Sequence, residues 1–449
     1  MKHLNKSVQK YIITSEVLRF EVIFFWLVLV NIFILFTPIN SSAQIVTPIG
    51  ETSDSESSLT LTLTHRFQRN KSYKLHKNDH YDKSINSPKS VKIIDEKKKF
   101  YVHSLEGYTT SVYSLENFNL LKTIEHKFNE TNQALFQDTF YYDMNFRTKS
   151  AKWNIFKGKP VESCLTHNGK YLWVTYYRRS YDSNAIDPSA VCIIDTDSDS
   201  IVRVIPTGPL PKMITSSPDN NHVAISHWGN NTVALINIQG NDPQSFHYVK
   251  ELLIDKKMSL DFDENEKVNR DQGCGACLRG TVFSLDSKYL FIGKMGGASI
   301  AVVDVENRKY LGDISGMRGN LRHLIINDGW LYISINKYGY IQRTPLIDFV
   351  AHIKKKNEPY TKWEEVYVGK GARTIEASPN GNYIYACINN QSELVVVNAN
   401  SFKVETKIKV DSYPVGMAIS KDNQWVITTS QGKSSKGGNS VCVFKVNNY

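Results

Sequence analysis

Three stretches of the chain align with one another without a gap, and this repeat limits the fold more than any other feature. PKMITSSPDNNHVAISHWGNNTVALIN spans residues 211–237, LRGTVFSLDSKYLFIGKMGGASIAVVD spans 278–304, and ARTIEASPNGNYIYACINNQSELVVVN spans 372–398. Each reads as alternating apolar residues, a Ser-x-(Asp/Asn) turn, a second strand, a Gly/Asn loop and a third apolar strand. Weaker copies begin near Ser90, Val161, Arg322 and Val415. The matching first-strand positions are Ser90, Val161, Lys212, Arg279, Arg322, Arg373 and Val415, at intervals of 71, 51, 67, 43, 51 and 42 residues. About 40–45 residues is one four-stranded propeller blade. The longer intervals are blades with insertions, at about 127–158 and 241–276.

The sequence therefore predicts an all-β, seven-bladed β-propeller over residues 87–449. Its last copy stops after a third strand, SVCVFKV (440–446). SSLTLTLTHRF (57–67) alternates strictly and belongs to no blade at its own end. Within the segment 44–86, this strand is expected to complete blade seven and close the ring, which removes an exposed sheet edge. The alternative is an outer hairpin.

The phrases SSPDNNHVAIS, EASPNGNYIYA and LTHNGKYLWVT resemble the signature of the YVTN-repeat propellers, over about residues 87–449. That resemblance implies the fold and leaves the function open, since such propellers bind, scaffold and in some cases catalyse. Related propellers include sugar-lactone hydrolases and a haem-binding propeller of certain nitrite reductases.

Residues 1–43 read as a cleaved signal peptide. A basic lead (Lys2, Lys6, Lys10, Arg19) precedes the apolar run VIFFWLVLVNIFILF and a small-residue site ending at Ala43. The 15-residue run is short for a membrane span, which needs about 20. The expectation is a periplasmic or secreted protein with no stable span after cleavage. Removing four basic and two acidic residues (Glu16, Glu21) takes the net charge from +10 to +8. The basic residues are spread out, which suits anions or anionic surfaces and not a nucleic-acid arm.

Cys274 and Cys277 form a C-x-x-C pair just before an innermost strand. Covalent haem attachment needs a histidine next, and Leu278 stands there. Tetrahedral zinc needs two further ligands, and a thioredoxin-like site needs a helix start. A local structural disulfide pinning the insertion is the expectation, with free thiols as the alternative. Cys164, Cys192, Cys387 and Cys442 read as buried small hydrophobes. DFDENE (261–266) has Glu266 where a calcium loop has glycine, so it reads as a solvated acidic loop.

The informative residues are cations. Lys212, Arg279, Arg322 and Arg373 share one repeat position, where innermost strands begin around one mouth of the channel. Arg178, His227 and Lys294 follow from loops after second strands. Such a ring must be neutralised by neighbouring carboxylates, for example Glu162 or Glu376, or await an anion. Tyr176, Tyr177, Trp228 and Tyr338 could stack on sugar rings or fill between blades. Two functions follow. One is a binding or interaction module with a basic funnel for an anionic small molecule, a glycan or a cell-envelope protein. The other is a lactonase- or lyase-like enzyme acting on an anionic sugar derivative, marked by a carboxylate or histidine beside the arginines. No motif requires a cofactor or a metal.

Overall fold

The side chains of the Ser-x-(Asp/Asn) turn account for its recurrence. In four blades a serine hydroxyl accepts the backbone N–H of the residue five positions on: Ser217 from His222, Ser284 from Tyr289, Ser378 from Tyr383 and Ser420 from Trp425, each at 2.9 Å. The same hydroxyls bond Asp219, Asp286, Asn380 and Asp422 two positions on. The residue after each of these adopts a left-handed backbone (Asn220, Ser287, Gly381, Asn423). The hydroxyl satisfies a turn amide that no strand partner reaches, so the turn is specified locally.

The computed structural model describes residues 46–448, apart from 55–56, 71–75, 137–153, 186, 257, 259–268, 356–357 and 433–437. The segment 1–43, expected to be a signal peptide, and the DFDENE stretch 261–266 lie outside the described residues. The described residues form seven sheets, antiparallel except for one edge strand added to blade seven. Blades one to seven begin with the innermost strands Pro88–Ile94, Phe156–Thr166, Pro211–Ser216, Leu278–Phe283, Leu321–Asn327, Ala372–Ala377 and Pro414–Ile419. Each innermost strand packs on the next, and that of blade seven packs on that of blade one, so the ring is complete. The core is correspondingly divided into seven apolar clusters, one between each pair of neighbouring blades.

Closure happens within blade seven. Leu59–Gln68 pairs antiparallel with Ser440–Asn448, in register from Leu59 opposite Asn448 to Gln68 opposite Ser440. Leu59, Leu61 and Leu63 enter the cluster shared with blade six, which is why the strand alternates so strictly. A short parallel strand, Asp79–Tyr81, covers its outer edge. Arg66 rivets the junction: its guanidinium reaches Asp79 at 2.7 Å, Asp411 at 3.3 Å and the Thr47 carbonyl at 2.7 Å. The outer-hairpin alternative is not realised.

The insertions are shorter than the spacing suggested. Blade three's outermost strand, His247–Leu253, lies inside the second one, leaving about residues 254–277 as true excursion. In the first, Lys127–Phe128 adds a fifth strand to blade two, beside the innermost strand Phe156–Thr166. Both excursions leave from outermost strands on the face where innermost strands start.

Candidate functional site: a bulged basic collar

All seven innermost strands carry the same irregularity near their start. The register shifts between Pro88 and Val91, Pro160 and Ser163, Pro211 and Met213, Leu278 and Thr281, Leu321 and His323, Ala372 and Ile375, and Pro414 and Gly416. Each shift puts one extra residue into the inner strand. A bulge of this kind re-aims a side chain. The bulged residues are Lys89, Val161–Glu162, Lys212, Arg279, Arg322, Arg373 and Val415, a collar around the entrance of the channel. In blade one the residue that follows Pro88 is Lys89, so the cation stands one place before the Ser90 given by sequence alignment.

Below the collar is a cavity of about 470 Å³. Arg279, Arg322, Arg373, Glu162, Ser90, Lys92, His323 and Glu376 are among its lining residues. Arg279 is partly committed: one Nη donates to the Lys212 carbonyl at 3.3 Å, and the other lies 3.7 Å from the Glu162 carboxylate. Among the described residues Arg322 makes one weak contact, from Nη1 to the Met295 sulfur at 3.7 Å. Arg373 makes no side-chain hydrogen bond or ion pair among the described residues. The Nε atoms of both Arg322 and Arg373 are buried without a partner. Deeper down, Lys92 and Glu376 pair at 3.9 Å.

The electrostatics of the collar are unfavourable in the empty state. Burial pushes Arg373 down to about 10, and the Arg279 charge pushes the same way. Burial, then the charges of Arg373 and Arg279, hold Arg322 and Lys89 well below their usual values. An arginine keeps its proton regardless, so the three guanidinium groups repel one another across the channel. Glu162 is the carboxylate that offsets them.

Lys212 belongs to the same repeat position but has a different environment. Its ammonium pairs with Asp271 at 2.9 Å and lies over the rings of Tyr177 and Trp228, 4.5 and 4.6 Å from their centroids. Burial pushes it down to about 7, and Asp271 pulls it back up. Asp271 comes from the excursion 254–277, where the Tyr177 hydroxyl bonds its carboxylate and the Trp228 indole N–H donates to its backbone carbonyl at 3.0 Å. Cys274 and Cys277 are joined by a disulfide in the same excursion. Next to them, the Ala276 amide donates to Asn231 of blade three at 3.0 Å. The other four cysteines are buried free thiols.

The remaining expected cations do not reach the cavity. His227 is fully buried between strands, held by Thr207, Thr232 and the Gly208 amide, with Glu251 at 3.1 Å. Lys294 is neutralised by two carboxylates, Asp255 at 2.8 Å and Asp313 at 2.6 Å. Arg178 donates to the Ser183 carbonyl and lies over Tyr177, on the rim. Among the aromatics, Tyr176 is buried filler, bonded to His126, and Tyr338 is exposed beside Lys337. Of these four, Tyr177 and Trp228 stand by the collar.

A serine–histidine contact in the cavity wall invites a catalytic reading. Ser163 meets His103 Nε2 at 2.9 Å, and the row continues through Thr110 and His126 to Tyr176. Equivalent second-strand positions in other blades make the same kind of bond to the next innermost strand: Ser226 to Thr281, Ser334 to the Arg373 carbonyl and Thr429 to the Lys89 carbonyl. The Ser163–His103 contact is therefore one of a series that ties blade to blade.

No family model matches the chain, and no curated protein matches it by sequence. Solved structures do match. Kuenenia stuttgartiensis hydrazine synthase superposes with a TM-score of 0.57 at 11% identity, over 83% of this chain and 99% of that one. The Myceliophteria thermophila Cps50 (Swd1) β-propeller domain gives 0.53 at 10% identity, over 81% and 97%. The fold is a seven-bladed β-propeller. At these identities the likeness extends to the fold and no further.

Proposed function

We propose that this propeller is a binding module working outside the cytoplasm, and that its collar receives an anionic small molecule, a glycan acid or an acidic group of an envelope partner. One observation carries the reading. Two adjacent blades aim arginines, Arg322 and Arg373, at the cavity with buried Nε donors that no group among the described residues meets. A buried donor left unpaired costs about 1–3 kcal/mol, more when charged, and an oxyanion repays that cost bidentately. The apolar run ahead of Ala43 supports the compartment.

Glu162 beside Arg279, and His323 in the same cavity, favour a second reading. In a lactonase- or lyase-like enzyme the arginines would hold the substrate carboxylate and Glu162 would take a proton. His323 is a poorer base, since burial pushes it down to about 3.

A thermal-shift panel of uronic acids, aldonolactones and sugar phosphates at low and high salt tests both readings. A ligand at 100 times its dissociation constant adds about 2.7 kcal/mol, and the shift should shrink with salt and vanish in Arg322→Gln. Salt-insensitive shifts, or none, would remove the collar as a binding site. Turnover of a shifting lactone that Glu162→Gln abolishes would move the protein to the enzyme class.

A further inference from the structure

The charge balance of the collar says more about the ligand than its sign. Lys212 is neutralised by Asp271 and Lys92 faces Glu376, so neither leaves a net charge for a guest. What remains is Lys89, Arg279, Arg322 and Arg373 against the single carboxylate of Glu162, within electrostatic reach of one another. Of these four groups, the three guanidinium ions against one carboxylate leave two positive charges unmatched, and Lys89, whose proton a guest anion restores, makes a third. They form an arc: three come from consecutive blades four, five and six, and the fourth from blade one, beyond the neutral Val415. The space that Arg279, Arg322 and Arg373 line, with Lys89 on the collar above it, is about 470 Å³, at the small end of ligand sites, which run about 300–1,000 Å³.

A monocarboxylate would satisfy one guanidinium fork and leave the others repelling across the channel. Two or more oxyanion groups on one small frame could engage Arg322 and Arg373 together and still face Lys89. Of the planar donors, the two Nε positions set the requirement, because they are buried and cannot be served by bulk water.

We propose that the collar is a site for a compact trianion, of the kind represented by pyrophosphate or a tricarboxylate, bound on the channel axis by Arg322, Arg373, Arg279 and Lys89. This rests on the reading of the collar as an anion site and narrows it to a charge class. The trianion neutralises the collar in one step, which explains why, among the described residues, Arg322 and Arg373 meet no carboxylate while Lys212 and Lys294 of neighbouring positions do, and why Lys89 is held by a neutral group, the Gln431 amide oxygen at 3.3 Å.

The test is calorimetric titration of the protein with acetate, sulfate, citrate and pyrophosphate at neutral pH and low salt. Citrate or pyrophosphate should bind at least about 100-fold more tightly than acetate, with sulfate between, because each added charge-assisted bond is worth roughly tenfold. The tighter of the two trianions identifies carboxylate or phosphate chemistry. Arg373→Gln should weaken trianion binding about tenfold or more, while the unliganded variant melts no lower than the parent, since a repelling charge has gone. Lys89→Gln is a second variant with the same expectation should the first fail to fold. If acetate binds within about threefold of both trianions, the charge class is wrong and the anion site stands. If none of the four binds, both fall. If Arg373→Gln and Lys89→Gln each lower the unliganded melting temperature, the cations are braces of the fold and the proposal is overturned.

Discussion

Lys212 and Arg373 occupy the same position of the repeat and have opposite fates. Lys212 is closed off by an acid and two aromatic rings, whereas Arg373 faces the cavity with no side-chain hydrogen bond or ion pair among the described residues. Lys212→Met combined with Asp271→Asn should therefore leave anion binding within about twofold of the parent, because the methionine stem keeps the packing between Tyr177 and Trp228 and the pair is removed together without changing the collar's net charge. Titration with the best anion checks this, and a loss as large as that of Arg373→Gln would mean Lys212 shares the site. The sequence showed the shared position of Lys212, Arg279, Arg322 and Arg373, because the strand pattern repeats without gaps around them. It could not show that Asp271 answers Lys212, since Asp271 sits in an excursion that aligns with no other blade. Lys89 was hidden for a different reason. Blade one lacks the turn serine: Ile94 pairs with Lys99 where Ser217 meets His222, so an alignment that sets Asp95 against the serine passes the cation by one.

At the scale of elements, the legible parts were those with local chemistry. The Ser-x-Asp turns and the alternating Leu59, Leu61, Leu63 disclosed blades and closing strand because each is specified by neighbours in sequence. The rivet at the junction was not legible. Arg66 meets Asp79 and Asp411, the latter from a loop more than 300 residues away. Breaking a buried pair strands its partners, at a cost of about 3–5 kcal/mol. Arg66→Ala should lose stability on that order in urea titration, far more than Arg318→Ala, whose partner Glu365 is on the surface. Equal losses would show that the rivet is dispensable. The seven bulges are the other element-scale feature. They turn strand starts that would otherwise face a neighbouring blade into a continuous collar, and only the side chain at each one varies.

For the whole molecule, acid sensitivity follows from the row of buried side chains that links blades one and two. Burial pushes His126 down to about 3, and burial together with the charges of His126 and Lys92 holds His103 well below its usual 6.5. The folded protein keeps both neutral while the unfolded chain takes up protons below about 6.5, so their contribution is complete above that pH. It is lost as pH falls towards 3, at up to about 1.4 kcal/mol per pH unit for each histidine. Urea midpoints across the mildly acid range should fall accordingly, and more gently in His126→Gln. A parent whose midpoint is flat there would contradict the neutral row.

The pairing of Leu59 with Asn448 has a further consequence for how the protein comes into being. Of the ring's own strands, the one made earliest waits for the one made latest, so blade seven cannot be completed until both have been made. Bringing such distant segments together costs only logarithmically in chain length, but until they meet the final hairpin offers a bare edge to any extended chain nearby. At high concentration the nearest suitable chain is another copy's Leu59–Gln68 segment. The clasp that makes the finished ring seamless is thus also the place where two unfinished rings could exchange strands, and dilution during refolding decides which clasp forms.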